Sequence, residues 1–340
     1  MSFGEAPGFW WRPSGWQAAL LSPAAALYGG VAAYRLDHGA RAKASLPVLC
    51  IGNFTAGGGG KTPTALALGR EAIAMGLRPG FLSRGHGGTA KTPLLVDPAR
   101  HDAATVGDEP LLLAGLAPTA IVVDRQRGAA LLGDEAGCDL VVMDDGFQSA
   151  RLRPDFALLV IDAVRGLGNG RVIPAGPLRA PFESQIRHAD ALLVVGDGQA
   201  ADWAARQAET AGKPVFTAHL RPLAPERLVG RRCLAFAGIA DPSKFYRTLS
   251  ALGADVVASR DFPDHHPFTD DDRRSLAAAA RADRLTMVTT RKDAVRFAMS
   301  AEGADMPLEV LDVELVFTPT EAAETILAAM LASYRRRKSV

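Results

Sequence analysis

Short apolar runs alternate with segments of helical periodicity along most of this chain. LPVLCIGNF at 46–54 is apolar almost throughout. After a run of glycines, TPTALALGREAIAMGL carries apolar residues at helical spacing. The pattern over 46–77 thus predicts strand, glycine loop and helix. A second strand is expected to end at Ser83 in PGFLSRGHGG, with a glycine-rich turn behind it. GDEP opens the next helix, where Pro110 suits a first turn and Asp108 a cap. TAIVVD is a third strand followed by a helix, and CDLVVMDDGFQ is a buried strand ending in two aspartates. FALLVID (156–162) and DALLVVGD (190–197) repeat the pattern.

Such alternation implies a mostly parallel sheet with helices on both faces. The polar residues gather just after the carboxyl ends of the strands, where open α/β sheets bind ligands. Beyond about residue 215 the grain changes. KPVFTAHLRPLAP and GRRCLAFAGIA read as strands, and DPSKFYRTLSALGADVV as helix then strand. A helix near 270–283, the strand LTMVTT and a terminal helix at 320–335 follow. The reading is a core at 46–225 and a smaller α/β lobe at 226–340, without internal repeats, heptads or low-complexity tracts.

Residues 1–45 stand apart. They hold three of the four tryptophans (Trp10, Trp11, Trp16), with Tyr28 and Tyr34, and end in Arg35, Arg41 and Lys43. No charge interrupts 18–34, but that run is short for a spanning helix, rich in alanine, and contains Pro23, Gly29 and Gly30. A secretory signal would want a basic start and a leucine-rich middle, and neither is present. Indole and phenol rings favour the water–lipid boundary, and basic residues favour anionic headgroups. The segment reads as a helical arm lying on a membrane; the alternative is a helix pair packed on the protein's own core.

Bulk composition narrows the picture further. The 340 residues suffice for about two ordinary domains. With 48% hydrophobic residues, 22% charged residues and a mean hydropathy near zero, the chain is of a folding kind. A net charge of +1 gives no general attraction to nucleic acid. Cys50, Cys138 and Cys233 lie far apart and form neither zinc spacing nor a disulfide framework.

The glycine loop is the strongest chemical signal. GNFTAGGGGKTPT approaches the phosphate-loop pattern G-x-x-x-x-G-K-[ST], with Thr55 where the first glycine would stand. Backbone N–H groups of Gly57, Gly58, Gly59 and Gly60 could cradle phosphate oxygens, and the helix beginning near Lys61 adds its positive end. Lys61 can reach the terminal phosphates, and the Thr62 hydroxyl can bind Mg²⁺. Asp144 and Asp145 arrive at the same sheet edge, and one such carboxylate commonly holds the metal. A solvated Asp-Gly turn is the plainer alternative. Asp108 is either a helix cap or a group that accepts a hydroxyl proton. FPDHHPF offers His265 and His266, as a surface turn or as a partner that tunes a carboxylate. Arg125, Arg171 and Arg179 follow strands or glycines and could grip an anionic substrate. Lys292 and Asp293 in TRKDAVRF read as part of a nucleotide-base pocket or as an ordinary helix cap and charge pair.

Taken together, GNFTAGGGGKTP, SRGHGG, GDEP, VVMDDGFQ, GNGRVIPAGPLR, PDHHPF and TRKDAV, in that order over roughly 46–297, resemble the tetraacyldisaccharide 4′-kinase family of lipid A biosynthesis. The resemblance implies a P-loop NTPase-like core with a smaller lobe and a membrane-associating arm. It implies transfer of the γ-phosphate of ATP, with Mg²⁺, to the 4′-hydroxyl of a tetraacyldisaccharide 1-phosphate. The enzyme would be peripheral, on the cytoplasmic face of the bacterial inner membrane, without nucleic acid or an obligate protein partner. Carried over, Lys61 and Thr62 serve phosphate and metal within the loop from Thr55 to Gly60. Asp145, with Asp144 as a further candidate, serves the metal. Asp108 is the base, tuned by His265, with His266 the alternative. Arg125, Arg171 and Arg179 are candidates for substrate phosphate or nucleotide. Thr55 is a family feature rather than a defect. His86 and Ala180 depart from the family, which commonly has a tyrosine and an acidic residue there. The rival readings are a membrane-associated switch of the partitioning-ATPase type and a non-catalytic nucleotide binder. The loop of a partitioning ATPase would usually carry an additional early lysine, and Ala56-Gly57-Gly58 offers none.

Overall fold

The computed structural model describes residues 6–57, 59–90, 92–149, 151–297 and 308–339. After α1 (Trp16–His38), the chain lays down β1 (Val48–Asn53), α2 (Lys61–Ala74), β2 (Pro79–Ser83) and β3 (Leu94–Leu95). α3 (Ala103–Val106), α4 (Asp108–Ala114), β4 (Thr119–Ile121), α5 (Arg125–Asp134) and β5 (Leu140–Asp144) follow. β6 (Phe156–Asp162), α6 (Phe182–His188), β7 (Ala191–Val195), α7 (Asp202–Thr210) and β8 (Val215–Pro222) complete this half.

These strands and a late one, β13 (Val313–Thr318), form a nine-stranded sheet ordered β13-β8-β7-β6-β1-β5-β2-β4-β3. Its neighbours are parallel except β3–β4 and β8–β13. Both faces are covered, which is why the central strands are apolar at every position. In β1, Val48 and Cys50 face a core shared with Leu82, Val141 and Leu159. Leu49 and Ile51 face the other, shared with Leu68, Phe81 and Ile326. α2 can press against that second face because Gly69 has no side chain; a Cβ there would stand 2.5 Å from Phe81 Cζ. Strand order reverses about β1: the chain moves out to β2 and β4, returns to β5, then crosses to β6, β7 and β8. The loop after β1 therefore opens at the topological switch point.

The smaller sheet is all parallel, ordered β10-β9-β11-β12, from β9 (Arg232–Ala237), β10 (Asp255–Asp261), β11 (Thr286–Thr290) and β12 (Leu308–Leu311). α8 (Pro242–Ala251) packs Phe245 and Leu249 on one face. α9 (Asp270–Ala282) and α10 (Arg291–Phe297) bring Leu276 and Phe297 to the other. Thr269 and Asp272 form a capping box that starts α9.

The span expected as one lobe, 226–340, is divided. After the smaller sheet, β13 returns to pair antiparallel with β8, from Val313↔Pro222 to Thr318↔Thr217. α11 (Ala322–Lys338) then buries Ile326, Leu327 and Met330 on the same core face as α2. Without β13, β8 would be an exposed edge, and without α11 that core face would lie open.

α1 is a single helix rather than a pair. Its small residues Ala18, Ala25 and Gly29 turn inward, toward Ala175, Val172 and Pro181. Most of its large apolar residues turn outward: Trp16 is 73% exposed, Leu27 74% and Tyr34 65%, while Leu36 is buried. Trp16, Leu20, Leu27, Val31 and Tyr34 share one stripe at helical spacing. Among the described residues, no helix is long and apolar enough to cross a membrane.

Candidate active site

β1 delivers the glycine loop from a fully buried strand. Thr55 makes an antiparallel bridge to Leu178. The Ala56 N–H donates to Pro177 O at 2.8 Å, and the Arg179 N–H donates to Phe54 O at 2.9 Å. Thr55 is thus paired as a strand, and among the described loop residues left-handed φ occurs later, at Gly57 (100°) and Gly60 (87°). Glycine is needed at those two positions and not at Thr55. Asn53 Nδ2 donates to Gly57 O at 3.1 Å and steadies the near side of the loop. Gly58 lies outside the described residues. Gly60 caps α2, so Lys61 and Thr62 occupy the first turn of a 14-residue helix.

The two aspartates at the end of β5 have different surroundings. Asp144, 1% exposed, accepts a hydrogen bond from Thr62 Oγ1 at 2.9 Å, while its Oδ1 has no hydrogen-bond partner among the described residues. Burial, reinforced by nearby Glu109, pushes Asp144 up to about 7 against the pull of Lys61. Asp145 sits at a left-handed φ of 54° and receives Arg179 through two bonds, Nη1–Oδ1 at 2.7 Å and Nη2–Oδ2 at 3.2 Å. Lys61 Nζ lies 3.8 Å from Asp145 Oδ1. Burial pushes the Asp145 carboxyl up, but Lys61 and Arg179 outweigh it and hold it below the usual carboxylate range. The preference of the sequence reading for Asp145 as metal ligand meets this arrangement: Asp145 is engaged by cations, and Asp144 carries the open oxygen beside Thr62.

Asp108 is the first residue of α4, and Gly107, at φ 89°, is the cap. The carboxylate is therefore not spent on capping. It is 3% exposed, and its Oδ1 accepts the Glu109 N–H at 2.9 Å. Its Oδ2 faces the smaller lobe: His265 Nδ1 at 3.1 Å, Arg296 Nη1 at 3.3 Å and Lys292 Nζ at 4.0 Å. Burial pushes the Asp108 carboxyl up, but the His265 hydrogen bond and the charges of Lys292 and Arg296 prevail and hold it at about 2. It is a buried, ionised carboxylate. His265 reaches it from a left-handed φ of 58°, with its N–H donating to Gly238 O at 3.1 Å. His266 points elsewhere, bonding Asp272 at 2.9 Å and stacking on Phe262.

The arginines separate. Arg179 is at the phosphate loop, where its Nε also donates to Thr55 O at 3.1 Å. Arg125, buried at the start of α5, donates to Val122 O and lends charge to Asp145 and Asp144. Arg171 instead lines a cleft of about 780 Å³ between α1 and the 165–183 segment. Ala25 and Gly29 of α1, Leu167, Val172 and Phe182 supply apolar lining there, and Arg165 supplies a second cation.

A family model described as "Tetraacyldisaccharide-1-P 4'-kinase" matches residues 17–332 of this chain. The chain belongs to that family. The tetraacyldisaccharide 4'-kinase of Agrobacterium fabrum is 54% identical over 336 residues, covering 98% of this chain and 96% of the relative. The enzyme of the same name from Brucella ovis is 51% identical over 339 residues, covering 98% of both. An "apo" form of LpxK from Aquifex aeolicus, crystallised in complex with ATP, superposes with a TM-score of 0.72 at 25% identity, over 92% of this chain and 99% of that one. Family membership favours a kinase over the partitioning-type switch.

Against the other members of the kinase site, three residues carry contacts that local sequence reading passed over. Gln148 donates to Asn53 O at 2.8 Å and accepts from Arg179 at 3.3 Å, tying DDGFQ to the loop. Glu109 reaches Lys292 at 3.3 Å. Arg296 joins Lys292 beside Asp108. A signal for the last pair existed, since positions four apart share a helix face.

Proposed function

We propose that this kinase moves the γ-phosphate of ATP to the 4′-hydroxyl of a tetraacyldisaccharide 1-phosphate, with Asp108 as the base. The observation that carries this reading is the buried, ionised Asp108, held by three side chains of the opposite lobe beside a strand–loop–helix phosphate cradle. Loop amides, the amino-terminal end of α2 and Lys61 take the β- and γ-phosphates. Arg179 and Lys61, now on Asp145, stand ready to meet phosphate charge.

The buried Oδ1 of Asp144, without a hydrogen-bond partner among the described residues and next to the Thr62 hydroxyl, fits a hard divalent cation with oxygen ligands. Thr62 and Asp144 would hold Mg²⁺. Bound there, it would neutralise charge developing on the phosphate oxygens. Asp108 takes the hydroxyl proton as the oxygen attacks phosphorus, and His265 keeps the carboxylate in place.

The acceptor is an amphiphile, and the remaining features suit it. The outward stripe of α1 lies on the cytoplasmic face of the inner membrane as a peripheral anchor. The cleft behind α1 receives acyl chain along its apolar lining, with Arg165 and Arg171 near the polar headgroup. Asp108→Ala tests the reaction. It lowers kcat by roughly 10²–10⁴-fold with the thermal midpoint retained; near-normal turnover would rule out the base.

A further inference from the structure

Lys292 sits where three acids and an imidazole converge. It is the second residue of α10, and its Nζ lies 3.1 Å from His265 Nε2 and 3.3 Å from Glu109 Oε1. Asp264 Oδ1 is 3.8 Å away and Asp108 Oδ2 4.0 Å. Burial pulls the lysine's pKa down, but Glu109, Asp108 and Asp264 outweigh it and hold it above the ordinary range, so the amine is charged. An ammonium has three donors and no lone pair. His265 Nε2 must therefore accept from Lys292, which leaves the ring proton on Nδ1, facing Asp108 Oδ2. With the lysine gone, Nε2 would face Asp264, 3.9 Å away, whose Oδ1 is buried without a hydrogen bond among the described residues. That carboxylate would draw the ring proton to Nε2 and turn a lone pair toward Asp108.

We infer that Lys292 is a positioning residue of the phosphotransfer site: its hydrogen bond to His265 Nε2 selects the tautomer whose Nδ1–H orients Asp108. Lys292 and His265 belong to the smaller lobe and Asp108 to the core, so the base is oriented only where the lobes meet. The inference rests on Asp108 being the base. Other charged or titratable groups around the pair are Arg296 against Asp108, Glu109 on the same helix, Asp264 and Asp293 behind the two cations, and His86 edge-on to His265 at 5.4 Å.

Lys292→Met in the full-length enzyme tests it, read by kinetics and by imidazole ¹⁵N resonances. The expected result is a kcat lower by roughly 10- to 100-fold with the KM for ATP within about twofold. The His265 signals should leave the Nδ1–H pattern of the wild type, and the acid limb of the kcat–pH profile should move up. Lys292→Arg, which also offers donors without a lone pair, should restore both the tautomer and most of the rate. Should Lys292→Met not fold, Lys292→Leu, which likewise offers no donor to Nε2, carries the same expectations. An unchanged kcat, or a lower kcat with the wild-type tautomer, would overturn the inference. Asp108→Ala run in parallel separates the failures. If it stays active, the base reading falls; if it is inactive while Lys292→Met matches wild type, only the role of Lys292 falls.

Discussion

At Asp108, burial pushes one carboxyl up while the His265 hydrogen bond and the charges of Lys292 and Arg296 pull it down, and the pull prevails. Its folded value of about 2 lies below the ordinary 3.8, so the ion pairs contribute stability in full above about pH 4. That contribution fades as pH falls toward 2. The wild type should therefore lose about 1 kcal/mol of its unfolding free-energy advantage over Asp108→Asn between about pH 5 and about pH 3. Urea titrations of the two proteins measure the gap, and one that is flat across this window would mean that His265, Lys292 and Arg296 do not hold the group ionised. Single residues also mark how far sequence reading reaches. GKT at 60–62 was legible as a phosphate loop because its chemistry is local. The exemption of Thr55 from being glycine was not, because its partner, Leu178, is far away in the chain. His265 and His266 have nearly the same sequence neighbours, and only the positive φ of His265 and its bond to Gly238 turn one of them toward Asp108.

Element by element, periodicity located most strands and helices, since burial on both faces or one face writes itself into the sequence. α4 differed in its start: Gly107 caps it and frees Asp108. β3, two residues long, left too little pattern to see. α1 was legible as an aromatic arm, but its inward face was not, because Ala18, Ala25 and Gly29 carry little hydrophobic signal. They let the helix approach closely while Trp16, Leu20, Leu27 and Tyr34 stay outside. A membrane would remove that stripe from water, at roughly 1.5–3 kcal/mol for each leucine fully buried. Leu20→Glu combined with Leu27→Glu should lower partition onto vesicles of anionic phospholipid by at least about tenfold. Circular dichroism should be unchanged, since both side chains are exposed in the protein. Equal sedimentation of variant and wild type with vesicles would contradict the arm's role.

For the molecule as a whole, fold class could be read from alternation, but the return of β13 and α11 to the large sheet could not. Strand pairing is non-local, and local pattern says that a strand exists without saying which neighbour it takes. That return has a consequence. The chain enters the smaller lobe from β8 and leaves it into β13, two strands paired along Thr217–Pro222, so both connections leave from one edge of the core. The smaller lobe brings His265, Lys292 and Arg296 to Asp108 from that platform. The phosphate loop, Asp108 and the outward stripe of α1 thus lie on separate parts of one molecule, and the proposed transfer to lipid would use all three. Incubation of the enzyme with γ-labelled ATP, Mg²⁺ and a tetraacyldisaccharide 1-phosphate in mixed micelles tests this most directly. Label should appear on the lipid, and Asp108→Ala should slow its transfer by roughly 10²–10⁴-fold; label released as free phosphate, with none on the lipid, would contradict the account.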